Sequence, residues 1–288
     1  MDSLRTHYLI SNDRDIDWGI YATTTGSTSY PAGSVYPHSY HPPTYYFNPQ
    51  KGRVLDDYML VYITRGKGFL QTKTCGDIAL EEGDLFLIMP EEWHTYWPSA
   101  ETGWDEYWIG FRGDFFNQLN LKGFISRERP VWKTGIHSGL ISLFEQAISL
   151  ANSQYPAYQQ MMSGLIVQML SQGYYLTQSD VQDNYVIQYI NKAKSIMIQH
   201  IEDPIHPEEI ARMLNVSYSW FRSHFKRCTH FSPVAYQQEL KIERAKTLLL
   251  NSGLSIKEIA EQLNFSSVAN FTTLFKAKTG KTPAFYRR

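Results

Sequence analysis

Glu209-Ile210-Ala211-Arg212-Met213-Leu214-Asn215 and Glu258-Ile259-Ala260-Glu261-Gln262-Leu263-Asn264 are one short text written twice, at an offset of 49. Beyond them, Phe221…Phe225-Lys226…Ser232-Pro233…Tyr236 returns as Phe271…Phe275-Lys276…Thr282-Pro283…Tyr286, at an offset of 50. A repeat of this length with apolar residues at helical spacing is one small helical unit used twice. Two copies are too few for a solenoid, so the pair has to be understood as a pair.

Each copy reads helix, tight turn, helix. In the second, Ser255-x-x-Glu258 is a capping box, Asn264-Phe265-Ser266 is the turn, and a further helix runs from about Ser267 to Lys278 before Gly280. In the first, Pro207 takes the first helical position and Glu208 and Glu209 complement the helix dipole. Asn215-Val216-Ser217 is its turn, and the second helix runs from about Tyr218 to Cys228. Ala211 and Ala260 are small enough to let paired helices approach closely. This is a helix-turn-helix pattern, whose second helix enters a DNA major groove.

Ser232-Pro233 opens a connecting helix that continues to about Asn251. Its roughly 19 residues span about 28 Å, against about 34 Å for one turn of B-DNA. A rod of that length sets two recognition helices into successive major grooves on one face. Charge agrees: residues 181–288 hold 15 Lys and Arg against 9 Asp and Glu, while residues 1–180 hold 12 against 19. A net of −1 thus hides a basic half suited to phosphates and an acidic half.

Helical phase assigns the DNA-facing side chains. With Phe221 and Phe225 in the core, Tyr218, Ser219, Arg222 and Ser223 face the groove, and Arg222 suits guanine O6 and N7. With Phe271, Leu274 and Phe275 in the core, Ala269, Asn270, Thr272 and Thr273 remain for base edges. Lys226, Arg227, Lys276 and Lys278 lie nearer the backbone and are expected to contact phosphates.

Residues 184–288 resemble the DNA-binding domain of the AraC/XylS family of transcription regulators. The resemblance rests on Ile210-Ala211, Phe225-Lys226, Ser232-Pro233-x-x-Tyr236, Leu240-Lys241-Ile242-x-x-Ala245-x-x-Leu248-Leu249, Asn264-Phe265, Phe271-x-x-x-Phe275-Lys276 and Gly280-x-Thr282-Pro283-x-x-Tyr286-Arg287. His230 and Asn264 stand where the family usually has Gly. Both positions follow a helix, where a left-handed backbone is wanted; Asn tolerates it well and His less well.

The first 180 residues are of a different kind. Tyr58–Thr64 is a β-rich run, ended by the expected turn Arg65-Gly66-Lys67-Gly68. Phe69–Thr72, Ile78–Leu80, Leu85–Met89 and Tyr107–Phe111 are further strands separated by glycine turns. The expected fold is a small β-sandwich or barrel. Gly83-Asp84 before an apolar strand, then Pro90 and His94, resembles the cupin-type sensor domain of the same family. Two stripes follow at helical spacing: Leu140, Leu143, Phe144, Ala147, Ile148, and Met162, Leu165, Ile166, Met169, Leu170. Either both cover the barrel or one is the seam of a homodimer, as in family members.

The expected organisation is α+β and multidomain. A cupin-like effector-binding domain spans 1–135, a helical dimerisation segment 136–176, a polar linker 177–183, and a double helix-turn-helix domain 184–288. The resemblance maps pocket positions of a sugar-binding member onto Arg53, Tyr96, Trp108 and Glu106. Arg53 would reach the sugar and Trp108 would stack on it. Glu106 replaces a pocket histidine, which implies a different hydroxyl pattern or ligand. The resemblance would also let Tyr21–Thr28 supply a mobile arm over the pocket, a point the sequence leaves open. Along Tyr107–Phe111 neighbours face opposite ways, so Trp108 shares a face with Glu106 and Gly110 rather than with Ile109.

Other classes are excluded. A cupin enzyme needs several His and a carboxylate on one metal. Here the strand region offers only His94, and His38 and His41 form a pair with no carboxylate at matching spacing. Neither a metal nor a cofactor is expected, and no P-loop or nucleophile elbow is present. Cys75 and Cys228 give no disulfide framework. Met1–Arg5 leads into no apolar core, and no run of about 18 apolar residues suggests a membrane span, so a soluble cytoplasmic protein is expected. The expectation is a sequence-specific DNA-binding regulator sensing a small molecule, most readily a carbohydrate. A non-sugar effector or a protein partner is the alternative. The resemblance implies activation, with RNA polymerase as partner.

Overall fold

Residues 5–37, 48–178 and 183–287 are described by the computed structural model. Two units separate along the chain, Met1–Ser179 and Asp180–Arg288. The expected linker at 177–183 lies largely outside the described residues; Thr177 and Gln178 belong to the end of a helix and Asp183 begins the next. His38 and His41 also lie outside the described residues.

The first unit contains β1 (Arg5–Tyr8), α1 (Asp13–Asp17), β2 (Tyr21–Tyr30), β3 (Tyr58–Thr72), β4 (Gly76–Glu81), β5 (Asp84–Ile88), β6 (His94–Pro98), β7 (Trp104–Arg112), α2 (Asp114–Leu121), β8 (Val131–Lys133), α3 (Ser138–Ser153) and α4 (Tyr158–Gln178). The strands run in the order β1-β2-β7-β3-β5-β8, and β4 and β6 pair with β3 as well. Every pairing is antiparallel.

The expected turn at Arg65–Gly68 is not a turn. β3 runs unbroken for 15 residues and only shifts register between Ile63 and Arg65. Its first half pairs with β5 and β7 and its second with β4 and β6, so one bent strand joins both sheets. Gly66 and Gly68 serve close approach: a Cβ would lie 2.1 Å from the Gly103 carbonyl oxygen at Gly66, and 2.4 Å from the Trp104 ring at Gly68.

Alternation divides the sheet into two faces. Leu60, Tyr62, Leu85, Leu87, Ile109 and Phe111 point one way, into a core with α3 and α4. Met59, Val61, Ile63, Phe86, Ile88 and Trp104 point the other way, into the barrel. Both helical stripes are buried within this unit: Leu140, Phe144, Ala147, Met162, Ile166 and Met169 are all fully enclosed. Of the two readings of the stripes, that both cover the barrel is the one the structure has, and neither stripe is itself a dimer seam.

Tyr21–Thr28 is no mobile arm but most of β2, paired to β1 on one side and β7 on the other. Thr24, Thr25, Ser27 and Thr28 are buried. Outside β2 lies β1, pinned through Arg5. Its guanidinium makes a two-pronged ion pair with Glu145 of α3, 2.7 Å at each oxygen, and Tyr107 donates to the same carboxylate.

The second unit holds α5 (Asp183–Gln199), α6 (Pro207–Met213), α7 (Tyr218–Thr229), α8 (Pro233–Asn251), α9 (Ile256–Gln262), α10 (Val268–Thr279) and α11 (Pro283–Tyr286). Ser217, Ser232, Ser255, Ser267 and Thr282 each cap the following helix through the side-chain oxygen. His230 ends α7 at φ 60° as Gly280 ends α10 at φ 76°, so the His keeps the left-handed cap despite its Cβ. Asn215 and Asn264 take the same conformation in the two turns. Two separate cores form, one around Phe221 and Phe225, the other around Phe271 and Phe275. Among the described residues, no helix is long and apolar enough to cross a membrane.

Gly26 is where β1, β2 and β7 meet. A Cβ there would lie 2.2 Å from the Arg5 carbonyl oxygen and 2.4 Å from the Trp108 ring. Gly26→Ala should therefore destabilise the first unit by about 1–3 kcal/mol, as overpacking does. Its urea midpoint should fall; an unchanged midpoint would show that β1 does not lie on β2.

Candidate functional site

Arg53, Tyr96, Glu106 and Trp108 come from three places in the chain and line one cavity of about 70 Å³. That is well above the roughly 10–15 Å³ that a single water molecule requires. β7 delivers Glu106 and Trp108 on its barrel-facing side, while Ile109 joins the core under α3. Trp108 is half-buried, its ring lying across Gly26 and its Nε1 donating to Thr24 Oγ1 at 3.4 Å. β6 delivers Tyr96 inward, stacked at 6.2 Å on the His94 ring.

Arg53 sits outside the named strands but bridges to His94 through paired backbone bonds of 2.9 and 3.0 Å. Its side chain donates to His94 Nε2 at 3.3 Å and to the Tyr96 hydroxyl at 3.1 Å. His94 is wholly buried, with Nδ1 2.9 Å from the Glu92 carbonyl. Burial, with Arg53 nearby, lowers its pKa to about 4. The imidazole is thus neutral, donating from Nδ1 and accepting at Nε2. It orients Arg53, and both of its ring nitrogens are engaged.

Glu106 is the outlying group. It is 6% exposed, and its Oε2 has no hydrogen-bond partner. Burial pushes its pKa up to about 8, with Arg53 pulling the other way. At neutral pH it is largely a carboxylic acid that both donates and accepts. Thr6 Oγ1 and Thr28 Oγ1 are likewise buried without partners, and Thr28 stands opposite Glu106 across β2 and β7. A cavity of aromatic rings with unpaired hydroxyl and carboxyl groups fits a ligand with apolar C–H faces and several hydroxyls.

Sequence reasoning missed the contributions of β1 and β2. Thr6 and Tyr8 of β1, Thr24 and Tyr30 of β2, and Tyr36 also line the cavity. The available signal was Thr24-x-Gly26-x-Thr28-x-Tyr30, a two-residue alternation that argues for a strand rather than an arm.

Of the residues expected to face DNA, Ser219, Arg222, Ser223, Ala269, Asn270 and Thr273 are exposed. Thr272 is half-buried. Tyr218 departs from expectation: it is half-buried and packs on the first core. It precedes Phe221 by three residues and Phe225 by seven, so helical phase puts it on their face. Lys226, Arg227 and Lys276 are exposed, as is Lys278, whose ammonium is ion-paired with Glu239 of α8. A phosphate would have to compete with that carboxylate.

The model of AraC-like ligand binding domains matches residues 32–180, and a helix-turn-helix domain model matches 210–288. The chain is 28% identical over 248 residues to the Msm operon regulatory protein of Streptococcus mutans, covering 85% of this chain and 87% of that one. It is 24% identical over 242 residues to the raffinose operon transcriptional regulatory protein RafR of Pediococcus pentosaceus, covering 82% and 86%. An AraC-type transcriptional regulator from Chromobacterium violaceum, a solved structure, is 29% identical and covers 36% of this chain and 93% of that chain, at a TM-score of 0.35.

The two shifted groups give stability a defined pH profile. Folded Glu106 holds its proton up to about pH 8, whereas an unfolded Glu releases it near 4.5, so stability falls as pH rises between those values. Folded His94 releases its proton near 4, whereas an unfolded His holds it to 6.5, so stability rises with pH between those values. The two oppose each other up to pH 6.5, above which the Glu106 loss stands alone. From there to pH 8, wild type should lose up to about 1.4 kcal/mol per pH unit relative to Glu106→Gln. Parallel urea titrations of both proteins check this; parallel curves would reject a buried neutral Glu106.

Proposed function

The chain belongs to the AraC family of ligand-responsive, DNA-binding transcription regulators, and from that premise we propose that its barrel cavity senses a carbohydrate. The observation that carries this reading is the buried Glu106 carboxyl in an aromatic cavity, whose Oε2 has no hydrogen-bond partner. A ligand hydroxyl satisfies both halves of a neutral carboxyl group. Trp108 and the tyrosines offer flat faces for the C–H side of a sugar ring, and Arg53 adds fixed donors. Similarity to a protein named for a raffinose operon supports the same class.

The regulator acts as a cytoplasmic homodimer. The outer face of α4 supports this: Met161, Gly164, Gln168, Ser171 and Tyr175 are exposed, and Tyr158–Gln178 holds no Asp, Glu, Lys or Arg. An uncharged exposed helix face suits a second copy better than water. Effector binding shifts the dimer toward the arrangement it binds better. α7 and α10 read successive major grooves, and as an activator the protein contacts RNA polymerase.

Thermal shift of the full chain against mono-, di- and trisaccharides, raffinose included, tests the sensor. A sugar that binds the native state must raise the midpoint. The rise should vanish in Trp108→Ala, which stays folded because Trp108 is only half-buried. Failure of every sugar, with another class of compound raising the midpoint, would move the effector out of the carbohydrates.

DNA binding is tested by salt and by two substitutions. With about six phosphate contacts, log K should fall against log salt with a slope near −5. Arg222→Ala should cost about 1–3 kcal/mol at one operator position and relax specificity there. Lys276→Ala should weaken all sequences alike. A uniform loss for Arg222→Ala would reassign that side chain to the backbone.

A further inference from the structure

Among the described residues, the two cores of the second unit share α8. Tyr236 and Leu240 pack on the first core, and Ile242, Ala245, Leu248 and Leu249 belong to the second. The changeover falls between Leu240 and Ile242, within one turn of helix. A single helix fixes the distance between the recognition helices α7 and α10. It resists less well a bend at that turn, which would swing one reader relative to the other.

Side chains span the changeover. Lys241 donates from Nζ to the Asn264 carbonyl at 3.0 Å, tying α8 to the turn that aims α10. Glu202, in the segment between α5 and α6, reaches out of the first half altogether. Its Oε1 accepts from Gln262 Nε2 of α9 at 2.9 Å and lies 3.6 Å from the Arg244 guanidinium of α8. The same segment is anchored to α8 at its other end, where Gln237 donates to the Ile205 carbonyl at 2.8 Å. A short strut, held at both ends, therefore runs from the first helix-turn-helix half to the second.

We infer that Glu202 is a positioning residue for DNA recognition: by bracing the two halves across α8, it sets the half-site spacing that the chain accepts. The inference rests on the reading that α7 and α10 enter successive major grooves. Its contacts are half-exposed and contribute little to stability. What they restrict is the angle between two readers. One base pair more or less between half-sites displaces the second groove by about 3.4 Å and turns it by about 35°. A braced pair cannot follow that change; an unbraced pair follows part of it.

The test uses the full chain and a random library of about 30-base-pair duplexes, three turns of B-DNA. Wild type selects a duplex, hydroxyl-radical footprinting locates the two neighbouring major grooves contacted by the α7 and α10 of one protomer, and versions with one base pair added or removed between those two grooves are made. Glu202→Ala should bind the selected duplex within about twofold of wild type, while its penalty on the shifted duplexes shrinks about three- to tenfold. Glu202→Gln, which still accepts from Gln262 but loses the charge facing Arg244, should fall between. A wild-type penalty in Glu202→Ala overturns the inference, and so does an equal loss on all three duplexes, which would mark a general structural role. If wild type itself is indifferent to spacing, the two-groove reading fails and the brace with it. A spacing-sensitive wild type with an unchanged variant sinks the brace alone.

Discussion

Alternation along β7 is the constraint on which the first unit depends. Tyr107 and Ile109 point to the helices, and Glu106 and Trp108 point into the barrel. A one-residue slip would bury a carboxyl under α3 and empty the cavity of its ring and its acid. The register is held on both sides, by nine Cα pairs to β2 and eight to β3. Gly26 and Gly110 take no side-chain space beside Trp108 and Thr24, which is why a large indole and an uncrowded sheet coexist there.

The same strands couple the cavity to the helices. β1 shows Thr6 and Tyr8 to the cavity and Arg5 to Glu145 of α3. Tyr107 shares that carboxylate from the strand that carries Glu106. Occupation of the cavity and the seating of α3 therefore involve neighbouring residues of the same two strands. This is the kind of arrangement through which a ligand biases one state over another.

The helix-turn-helix half was legible because its determinants are local. Caps, turns and the i, i+3, i+4 spacing of Phe221 with Phe225 and Phe271 with Phe275 lie within a few residues of each other. α8 ends at Asn251, as the capping signals indicate. The barrel was less legible. Arg65–Gly68 looked like a turn because glycines often make turns; here they make room for Gly103 and Trp104, more than thirty residues away in sequence. Whether Tyr21–Thr28 is arm or strand is open in the sequence because its partners β1 and β7 are not visible from its own composition. Tyr218 lies at the edge of the groove-facing positions, and the face it shares with Phe221 draws it onto the core.

By itself, the sequence determined the class of each half and the helix boundaries of the duplicated unit, and through its family resemblance it pointed to four of the residues around the cavity. The physical reason is that periodicity, capping and a family's spacing are carried by neighbours in the chain. Tertiary structure alone decided three things. It enclosed Glu106 beside Arg53 until its carboxyl is neutral, since desolvation depends on everything packed around a group. It used both helical stripes on the barrel, because the faces of the sheet had to be covered first. It brought Glu202 to Arg244 and Gln262, a meeting of residues forty-two and sixty apart that only the bend of the chain round α8 creates.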